Sequence, residues 1–165
     1  MILVTVGNAT QGFRRLLEPI DDLAKEGFFN PVRVFMQTGH IRDFKPIHCE
    51  YKDFLEMDEF LEFIENADLI ICHGGCGTLL HALRIGKVPV AMPRRKRYGE
   101  HVNDHQVQLV NVLASEYRVV PAYEPEDLPK AIAEARVRNR QPAPPPPSQM
   151  LSLVAQAIEE LIGKP

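Results

Sequence analysis

The sequence predicts an α/β fold built on a mostly parallel sheet. Short β-branched or apolar runs alternate with stretches of helical period, and glycine turns join several of these runs to the next helix. Residues 68–72 (DLIIC) form a continuous apolar run, which is typical of a parallel strand covered on both faces. Strands and helices that alternate in this way form βαβ units, whose strands lie parallel in one sheet.

The expected elements follow one another along the chain. The predicted strands cover residues 2–6, 32–37, 47–51, 68–72, 88–92 and 118–122. The first helix begins near Phe13 and ends at Gly27, and the later helices cover residues 55–64, 79–85, part of 94–115, and 125–138. The sequence has no internal repeats, so a single core is expected.

Composition indicates one soluble domain and argues against several functions. The chain has 165 residues, of which 45% are hydrophobic and 25% charged, and its net charge of −3 gives no reason to expect nucleic-acid binding. Its three cysteines argue against a disulfide scaffold and for a reducing compartment. The first residues lack the basic segment of a signal peptide, and no run approaches the ~18 apolar residues of a membrane span. A cytoplasmic protein is therefore expected.

The chain divides into three parts. Residues 1–139 form the predicted α/β domain, residues 140–148 (RQPAPPPPS) a proline-rich linker, and residues 149–165 a C-terminal helix. Apolar residues recur at helical spacing on that helix, namely Leu151, Val154, Ile158 and Ile162. This stripe either packs back on the domain or binds a partner.

The strongest functional signal lies at residues 73–78 (HGGCGT), between a predicted strand and a predicted helix. A glycine turn that opens a helix presents free backbone N–H groups and the positive end of the helix dipole, both of which suit a phosphate. Thr78 either caps the helix or donates its hydroxyl to the phosphate. The pattern is neither a P-loop nor G-x-G-x-x-G, and a tight turn without a ligand is the alternative.

Gly7 follows the first predicted strand and marks a second turn at the same edge of the sheet. In open parallel sheets, ligands bind beyond the carboxyl ends of the strands, at the point where the strand order reverses. The two turns are therefore expected to flank one ligand, with Asn8, Thr10 and Gln11 as polar neighbours. A plain strand-to-helix turn is the alternative.

Residues 93–106 (PRRKRYGEHVNDHQ) form a third cluster of polar side chains. Asp104 and Gln106 offer the acceptors and donors that sugar hydroxyls require, whereas a solvated helix start is the alternative. The basic run at residues 94–97 suits a pyrophosphate, an anionic membrane surface or an acidic partner, and simple solvation is again the alternative.

A metal site is not expected. His101 and His105 lie four residues apart, but not in the H-E-x-x-H pattern of zinc proteases. Cys72 is expected in the core, and Cys76 is expected as a small residue of the glycine turn. The G-x-S-x-G pattern of serine hydrolases is absent as well.

Taken together and in order, these clusters resemble the family 28 glycosyltransferase C-terminal domain. The resemblance rests on VTVG (4–7), QTG (37–39), HGGCGT (73–78), GKVPVAMPR (86–94) and GEHVNDHQ (99–106). It implies a Rossmann-like domain that corresponds to the C-terminal, donor-binding half of a GT-B glycosyltransferase. Within that family the sequence resembles more closely the single-domain subunits of two-component UDP-sugar transferases, of the exopolysaccharide and dolichol-linked types.

The resemblance also implies roles for individual residues. The residues expected to bind the donor nucleotide or its sugar are Gly7, Asn8, Gly74, Gly75, Cys76, Gly77, Thr78, Arg94, Asp104, His105 and Gln106. The catalytic candidates are His73, His101 and Glu100, and the general base is either a histidine of this chain or a group of the partner. Many relatives carry a glutamate that binds the ribose on the helix after the glycine turn, and here His81 takes that place.

The predicted function is that of a catalytic, donor-binding subunit of a two-component glycosyltransferase. It would move a hexose or an N-acetylhexosamine, such as N-acetylglucosamine, from a UDP-sugar to a lipid-linked or polysaccharide acceptor, without a cofactor or metal. A membrane-anchored partner would hold the acceptor and bring the chain to the inner face of the membrane. The alternatives are a non-catalytic module that binds a nucleotide-sugar or a partner, and a UDP-sugar epimerase or hydrolase.

Overall fold

The computed structural model of the chain describes residues 1–140. The predicted linker and C-terminal helix lie outside the described residues, apart from Arg140. The strands are β1 (Ile2–Thr5), β2 (Val34–Gln37), β3 (Glu50–Lys52), β4 (Leu69–His73), β5 (Val90–Met92) and β6 (Val120–Pro121). The helices are α1 (Arg14–Lys25), α2 (Met57–Asn66), α3 (Cys76–Arg84), α4 (His105–Ser115) and α5 (Leu128–Arg140), with 3-10 turns at Lys96–Tyr98 and Pro125–Asp127.

The six strands form one parallel sheet in the order β3-β2-β1-β4-β5-β6. The chain first builds outward from β1 to β3 and then returns to the other side of β1 with β4. The strand order therefore reverses between β1 and β4, which is where open parallel sheets place their ligands. The predicted α/β class and the parallel sheet are confirmed.

Helices cover both faces of the sheet, which explains why its central strands are apolar throughout. Side chains alternate between the faces, so Val4 and Ile71 pack with helices α1 and α5, while Leu3 and Ile70 pack with α2, α3 and α4. Each face thus has its own apolar cluster. None of the helices within residues 1–140 is both long and apolar enough to cross a membrane.

The predicted third strand was misplaced at its start. Sequence indicated residues 47–51, but β3 begins at Glu50. The reason is that the buried carboxylate of Asp21, on α1, accepts hydrogen bonds from the backbone N–H groups of Ile47 (3.0 Å) and His48 (2.8 Å). This contact fixes those residues against α1 before the chain enters the sheet.

The glycine turn after β4 is shorter than predicted. Helix α3 begins at Cys76 rather than at Leu79, because the Leu79 N–H already donates to the Gly75 carbonyl at 3.1 Å. Half of the HGGCGT segment is therefore the first turn of a helix. This matters for function, since the helix end lies directly beyond strand β4.

Candidate functional site

A cavity of about 350 Å³ lies at the carboxyl ends of β1 and β4, where the strand order reverses. The ends of β1, β2 and β4 line it, together with the turn after β1, residues of α3, and residues between Leu55 and Leu61 at the start of α2. The lining residues are Thr5, Gly7, Asn8, Gln37, Leu55, Met57, Phe60, Leu61, His73, Gly75, Gly77, Thr78 and His81. Both predicted glycine turns thus contribute to one cavity.

The N-terminus of α3 opens into this cavity without a side-chain cap. Gly75 is the N-cap residue, and no side chain of residues 1–140 accepts a hydrogen bond at that position. The N–H groups of Cys76, Gly77 and Thr78 precede the first helical hydrogen bond, which Leu79 donates. Together with the positive end of the helix dipole, these donors make the helix start suitable for an anion such as a phosphate.

The imidazole of His73 lies between the two glycine turns. A Cβ atom on Gly7 would lie 2.6 Å from His73 Nε2, and one on Gly75 would lie 2.1 Å from the same atom. Both positions are therefore restricted to glycine by the histidine ring, and Gly7 also has a positive φ of 69°. A Cβ on Gly77, by contrast, would meet nothing within 4 Å.

His73 is neutral at physiological pH. Its burial lowers the pKa to about 4, and the positive charges of Arg94 and His101 act in the same direction, although a backbone hydrogen bond with Thr5 opposes them. A neutral imidazole adds no positive charge to the cavity. It remains able to exchange hydrogen bonds with a ligand through its ring nitrogens.

Gln37, the last residue of β2, fixes the turn after β1. Its Oε1 accepts hydrogen bonds from the Thr5 hydroxyl (2.7 Å) and from the Gly7 N–H (3.0 Å). Its Nε2 donates to the carbonyls of Gly7 (3.1 Å) and Asp53 (2.9 Å). Because the amide is buried and uses both its donor and its acceptor, it holds strands β1, β2 and β3 in one arrangement at this edge.

The β5–α4 loop (residues 93–104) lies at the same sheet edge, but many of its polar groups are already paired with other groups of the described chain. Asp104 Oδ1 accepts from the Lys96 N–H (2.9 Å), and Gln106 Oε1, from the start of α4, accepts from the Arg94 N–H (3.0 Å). His101 Nδ1 accepts from the Asn103 N–H (3.3 Å). These contacts shape the loop itself, which explains much of the crowding of polar residues in the sequence.

Glu100 is buried in this loop and forms a two-point ion pair with Arg15 of α1. Arg15 donates from Nε and Nη2 to the two carboxylate oxygens, each at 2.8 Å, and the Arg95 N–H also donates to the carboxylate at 2.9 Å. The side chains are only 12% and 7% exposed. Glu100 does not line the cavity.

Comparison with known proteins identifies the family. The chain matches the "Glycosyltransferase family 28 C-terminal domain" over residues 1–161. The chain belongs to this family. It is also 32% identical over 123 residues to the "UDP-N-acetylglucosamine transferase subunit ALG13" of Yarrowia lipolytica, a match that covers 68% of this chain and 60% of that protein.

Solved structures of GT-B glycosyltransferases share the fold of this family 28 domain. MurG of Acinetobacter baumannii aligns with a TM-score of 0.57 and 22% identity, over 94% of this chain and 49% of MurG. The glycotransferase of kitacinnamycin aligns with a TM-score of 0.56 and 20% identity, over 82% of this chain and 34% of that protein. The chain therefore has the Rossmann-like fold of one half of a GT-B enzyme, and it spans about half the length of MurG.

The site predicted for this family 28 domain separates into two groups in the structure. The predicted residues that line the cavity are Gly7, Asn8, Gly75, Gly77, Thr78 and His73. Cys76 is exposed at the start of α3, and Gly74 packs against α4, since its Cβ would lie 3.0 Å from the Cβ of Gln106. Besides Gly74 and Cys76, the predicted residues outside the cavity lining are Arg94, Glu100, His101, Asp104, His105 and Gln106.

Two features of the cavity were missed from the sequence. The first is Gln37, whose signal was a polar residue at the end of a buried strand. The second is the apolar wall that Leu55, Met57, Phe60 and Leu61 contribute to the cavity lining. The spacing of these residues indicated only an amphipathic helix. It did not show that the start of α2 lines the cavity at the carboxyl ends of the strands. His81 completes this wall, and its Nε2 is buried without a hydrogen-bond partner among the described residues.

No metal centre is formed by residues 1–140. No group of three or more histidine, cysteine, aspartate or glutamate side chains in that part of the chain is arranged to hold a metal ion. Among the described residues, the only titratable side chains in the cavity lining are those of His73 and His81.

Proposed function

We propose that this chain is the donor-binding subunit of a two-component glycosyltransferase. It would bind a UDP-sugar and transfer a hexose or N-acetylhexosamine, such as N-acetylglucosamine, to a lipid-linked or polysaccharide acceptor. The observation that carries the proposal is the uncapped N-terminus of α3, which opens into a cavity at the switch point of the sheet. Family membership and the similarity to a UDP-N-acetylglucosamine transferase subunit support it.

The cavity offers each part of a UDP-sugar a suitable surface. The diphosphate would accept hydrogen bonds from the N–H groups of Cys76, Gly77 and Thr78. The nucleoside would lie along the apolar wall between α2 and α3, and the sugar would extend toward Asn8. As the bond to the sugar breaks, negative charge grows on the departing UDP, and the helix dipole and fixed N–H donors stabilise it. A metal ion is not required for this step, and direct displacement with inversion is proposed.

The general base is proposed to come from the partner. A base is most effective when its pKa lies near the working pH, and His73, with a pKa of about 4, accepts a proton only weakly. Glu100 is held in an ion pair with Arg15. His101 remains a candidate base of this chain, although it does not line the cavity.

A partner subunit is proposed on the basis of coverage and similarity. The chain corresponds to about half of MurG, and its relative in Yarrowia lipolytica is named as a subunit. A membrane-anchored partner would supply the acceptor half and bring this chain to the cytoplasmic face of the membrane.

Titration calorimetry with nucleotides tests this proposal. UDP is expected to bind saturably and more tightly than UMP, while uridine binds weakly, because the diphosphate makes the contacts with α3. Addition of EDTA should leave the affinity unchanged. Equal affinity for uridine and UDP, or no binding of UDP either alone or with the partner, would contradict the proposal.

A non-catalytic binding module is the second candidate. The observation that favours it is that only His73 and His81 are titratable in the cavity lining, and that His73 is a weak base. Normal affinity for the UDP-sugar without transfer in a reconstituted pair would support this candidate. Release of free sugar without partner or acceptor would instead indicate a hydrolase.

A further inference from the structure

Arg94 is the largest fully buried side chain of the described chain, with 0% exposure. Sequence assigned it to the donor site, but its guanidinium faces the backbone of the protein. Nη2 donates to the Val6 carbonyl at 2.9 Å, and Nη1 donates to the Gln11 carbonyl at 2.8 Å. The same Nη1 lies 3.3 Å from the carbonyls of Gly12 and Glu100.

These contacts join two separate loops. Val6, Gln11 and Gly12 belong to the β1–α1 loop (residues 6–13), which carries the Gly7 turn of the cavity. Arg94 and Glu100 belong to the β5–α4 loop. The Phe13 ring lies under the guanidinium, with its centroid 4.7 Å from the Arg94 Cζ. The guanidinium thus bridges the two loops by hydrogen bonds to the backbone, without reaching the surface.

Burial of a charged group at this position costs free energy, because a buried guanidinium loses its hydration. Burial lowers the pKa of Arg94 to about 10, so it still carries its charge at neutral pH. The four carbonyl contacts offset part of the lost hydration, because the planar fork of the guanidinium directs its Nη1 and Nη2 donors at fixed angles. Its Nε is buried without a hydrogen-bond partner among the described residues. A lysine has no such fork, and an apolar side chain would leave carbonyls of both loops without this donor.

We propose that Arg94 is a positioning residue of the transferase. Its guanidinium holds the Gly7 turn of the donor cavity against the β5–α4 loop by hydrogen bonds to the backbone. The inference rests on the proposed function for its consequence in ligand binding. The Gln106 side chain completes the connection, because its Oε1 accepts from the Arg94 backbone N–H at 3.0 Å. A residue of α4 is thereby linked through Arg94 to the turn that lines the cavity.

The charge of Arg94 acts on the pKa of His73, which is a separate effect from the hydrogen bonds that its guanidinium makes between the two loops. It lies close enough to His73 to help keep that imidazole neutral, together with burial and the charge of His101. Replacement by lysine keeps the charge and removes the fork, whereas replacement by methionine removes both. The two variants therefore separate positioning from electrostatics.

The experiment compares Arg94→Lys and Arg94→Met with a matched control, Arg14→Lys, at an exposed arginine that pairs with Glu18 on the surface of α1. Backbone hydrogen exchange is measured by mass spectrometry, the affinity for UDP by calorimetry, and the pKa of His73 by NMR. Both Arg94 variants should speed exchange in both loops and weaken UDP binding about tenfold. The His73 pKa should stay near its wild-type value in Arg94→Lys and rise in Arg94→Met. The control should match the wild type in every measurement.

Unchanged exchange in either loop of Arg94→Lys would overturn the proposal, as would wild-type UDP affinity in that variant. A wild-type chain that binds no UDP would contradict the proposed function, while the exchange measurement would still test the bridge. If the variants fail to fold, wild-type exchange is decisive. The bridge predicts that the two loops open together with similar protection, and independent opening would refute it.

Discussion

The start of α3 and the β5–α4 loop lie at the same edge of the sheet and look alike in sequence, since both are polar and contain glycine. Their hydrogen bonds differ. At the start of α3, beside the cavity, three backbone N–H groups precede the first helical hydrogen bond, and no side chain of residues 1–140 caps the helix. In the β5–α4 loop, the side chains of Glu100 and Asp104 accept hydrogen bonds from the loop's own backbone.

The difference shows that the number of polar residues does not locate a binding site. Polar groups that already have partners within the chain stabilise a conformation, while those left without partners are available to a ligand. By this criterion the start of α3 is the ligand-binding region and the β5–α4 loop is its support. The predictions below test this division, beginning with the largest expected effect.

Removal of the Glu100 charge should lower the stability of the fold far more than it lowers the rate of sugar transfer. Glu100→Gln removes the two-point ion pair of the buried Arg15 guanidinium and leaves it only the Glu124 carboxylate at 3.8 Å, so the free energy of unfolding should fall by about 3 kcal/mol. Urea denaturation measures this effect, with Glu18→Gln as a control at an exposed ion pair. A stable Glu100→Gln protein that binds UDP normally but transfers no sugar would show that Glu100 is catalytic. This result would contradict the division between a ligand-binding α3 start and a supporting β5–α4 loop.

Two glycines of the α3 turn should respond differently to the same added methyl group. Gly75→Ala forces a Cβ against the ring of His73, so stability should fall by about 2 kcal/mol and UDP binding should be lost. In Gly77→Ala the methyl group meets no protein atom, so stability should be kept. UDP affinity should nevertheless fall about tenfold, because the methyl group enters the space proposed for the phosphate.

Thermal denaturation and calorimetry on both variants separate these effects. Wild-type UDP affinity in Gly77→Ala would show that no phosphate approaches this turn. Equal destabilisation of the two variants would show that the His73 ring does not restrict position 75.

The buried His73 should make stability depend on pH. Its pKa is about 4 in the folded chain, against about 6.5 for an ordinary histidine, so the unfolded chain binds the proton more readily between these values. The stabilising contribution is complete above about pH 6.5 and is lost as the pH falls toward 4. From about pH 7.5 to about pH 5 the wild type should lose about 2 kcal/mol more than His73→Gln, measured by urea denaturation. Parallel curves for the two proteins would contradict the shifted pKa.

The smallest effect is expected at His105, which is exposed at the start of α4. His105→Ala should leave stability unchanged. If the resemblance assigns the donor sugar correctly, the preference among UDP-sugars should change about fivefold while the affinity for UDP itself stays constant. An equal change for UDP and all UDP-sugars would mean that His105 does not contact the sugar.

Much of the fold was predictable because its signals are local. Apolar runs such as residues 68–72 indicated buried parallel strands, and glycine turns indicated that helices follow them, although α3 begins at Cys76 rather than at Leu79. The start of β3 was not predictable, because it depends on the distant carboxylate of Asp21, which holds Ile47 and His48. Contacts between residues far apart in sequence leave no periodic pattern.

The site was predictable only in part, for the same reason. The glycine turns at Gly7 and Gly75 were visible in sequence, but the reason for them, the ring of His73 between them, requires the folded structure. Arg94 shows the opposite case. A run of four basic residues indicates a surface that binds anions, yet the first of them is fully buried and bonded to backbone carbonyls.

The central claim is that the start of α3 binds the diphosphate of UDP. The most direct measurement is a UDP titration of the ¹⁵N-labelled chain followed by NMR. The amide signals of Cys76, Gly77 and Thr78 should shift saturably and by the largest amounts, with smaller shifts in the β5–α4 loop. Saturable shifts confined to the β5–α4 loop, with the α3 amides unchanged, would contradict the claim.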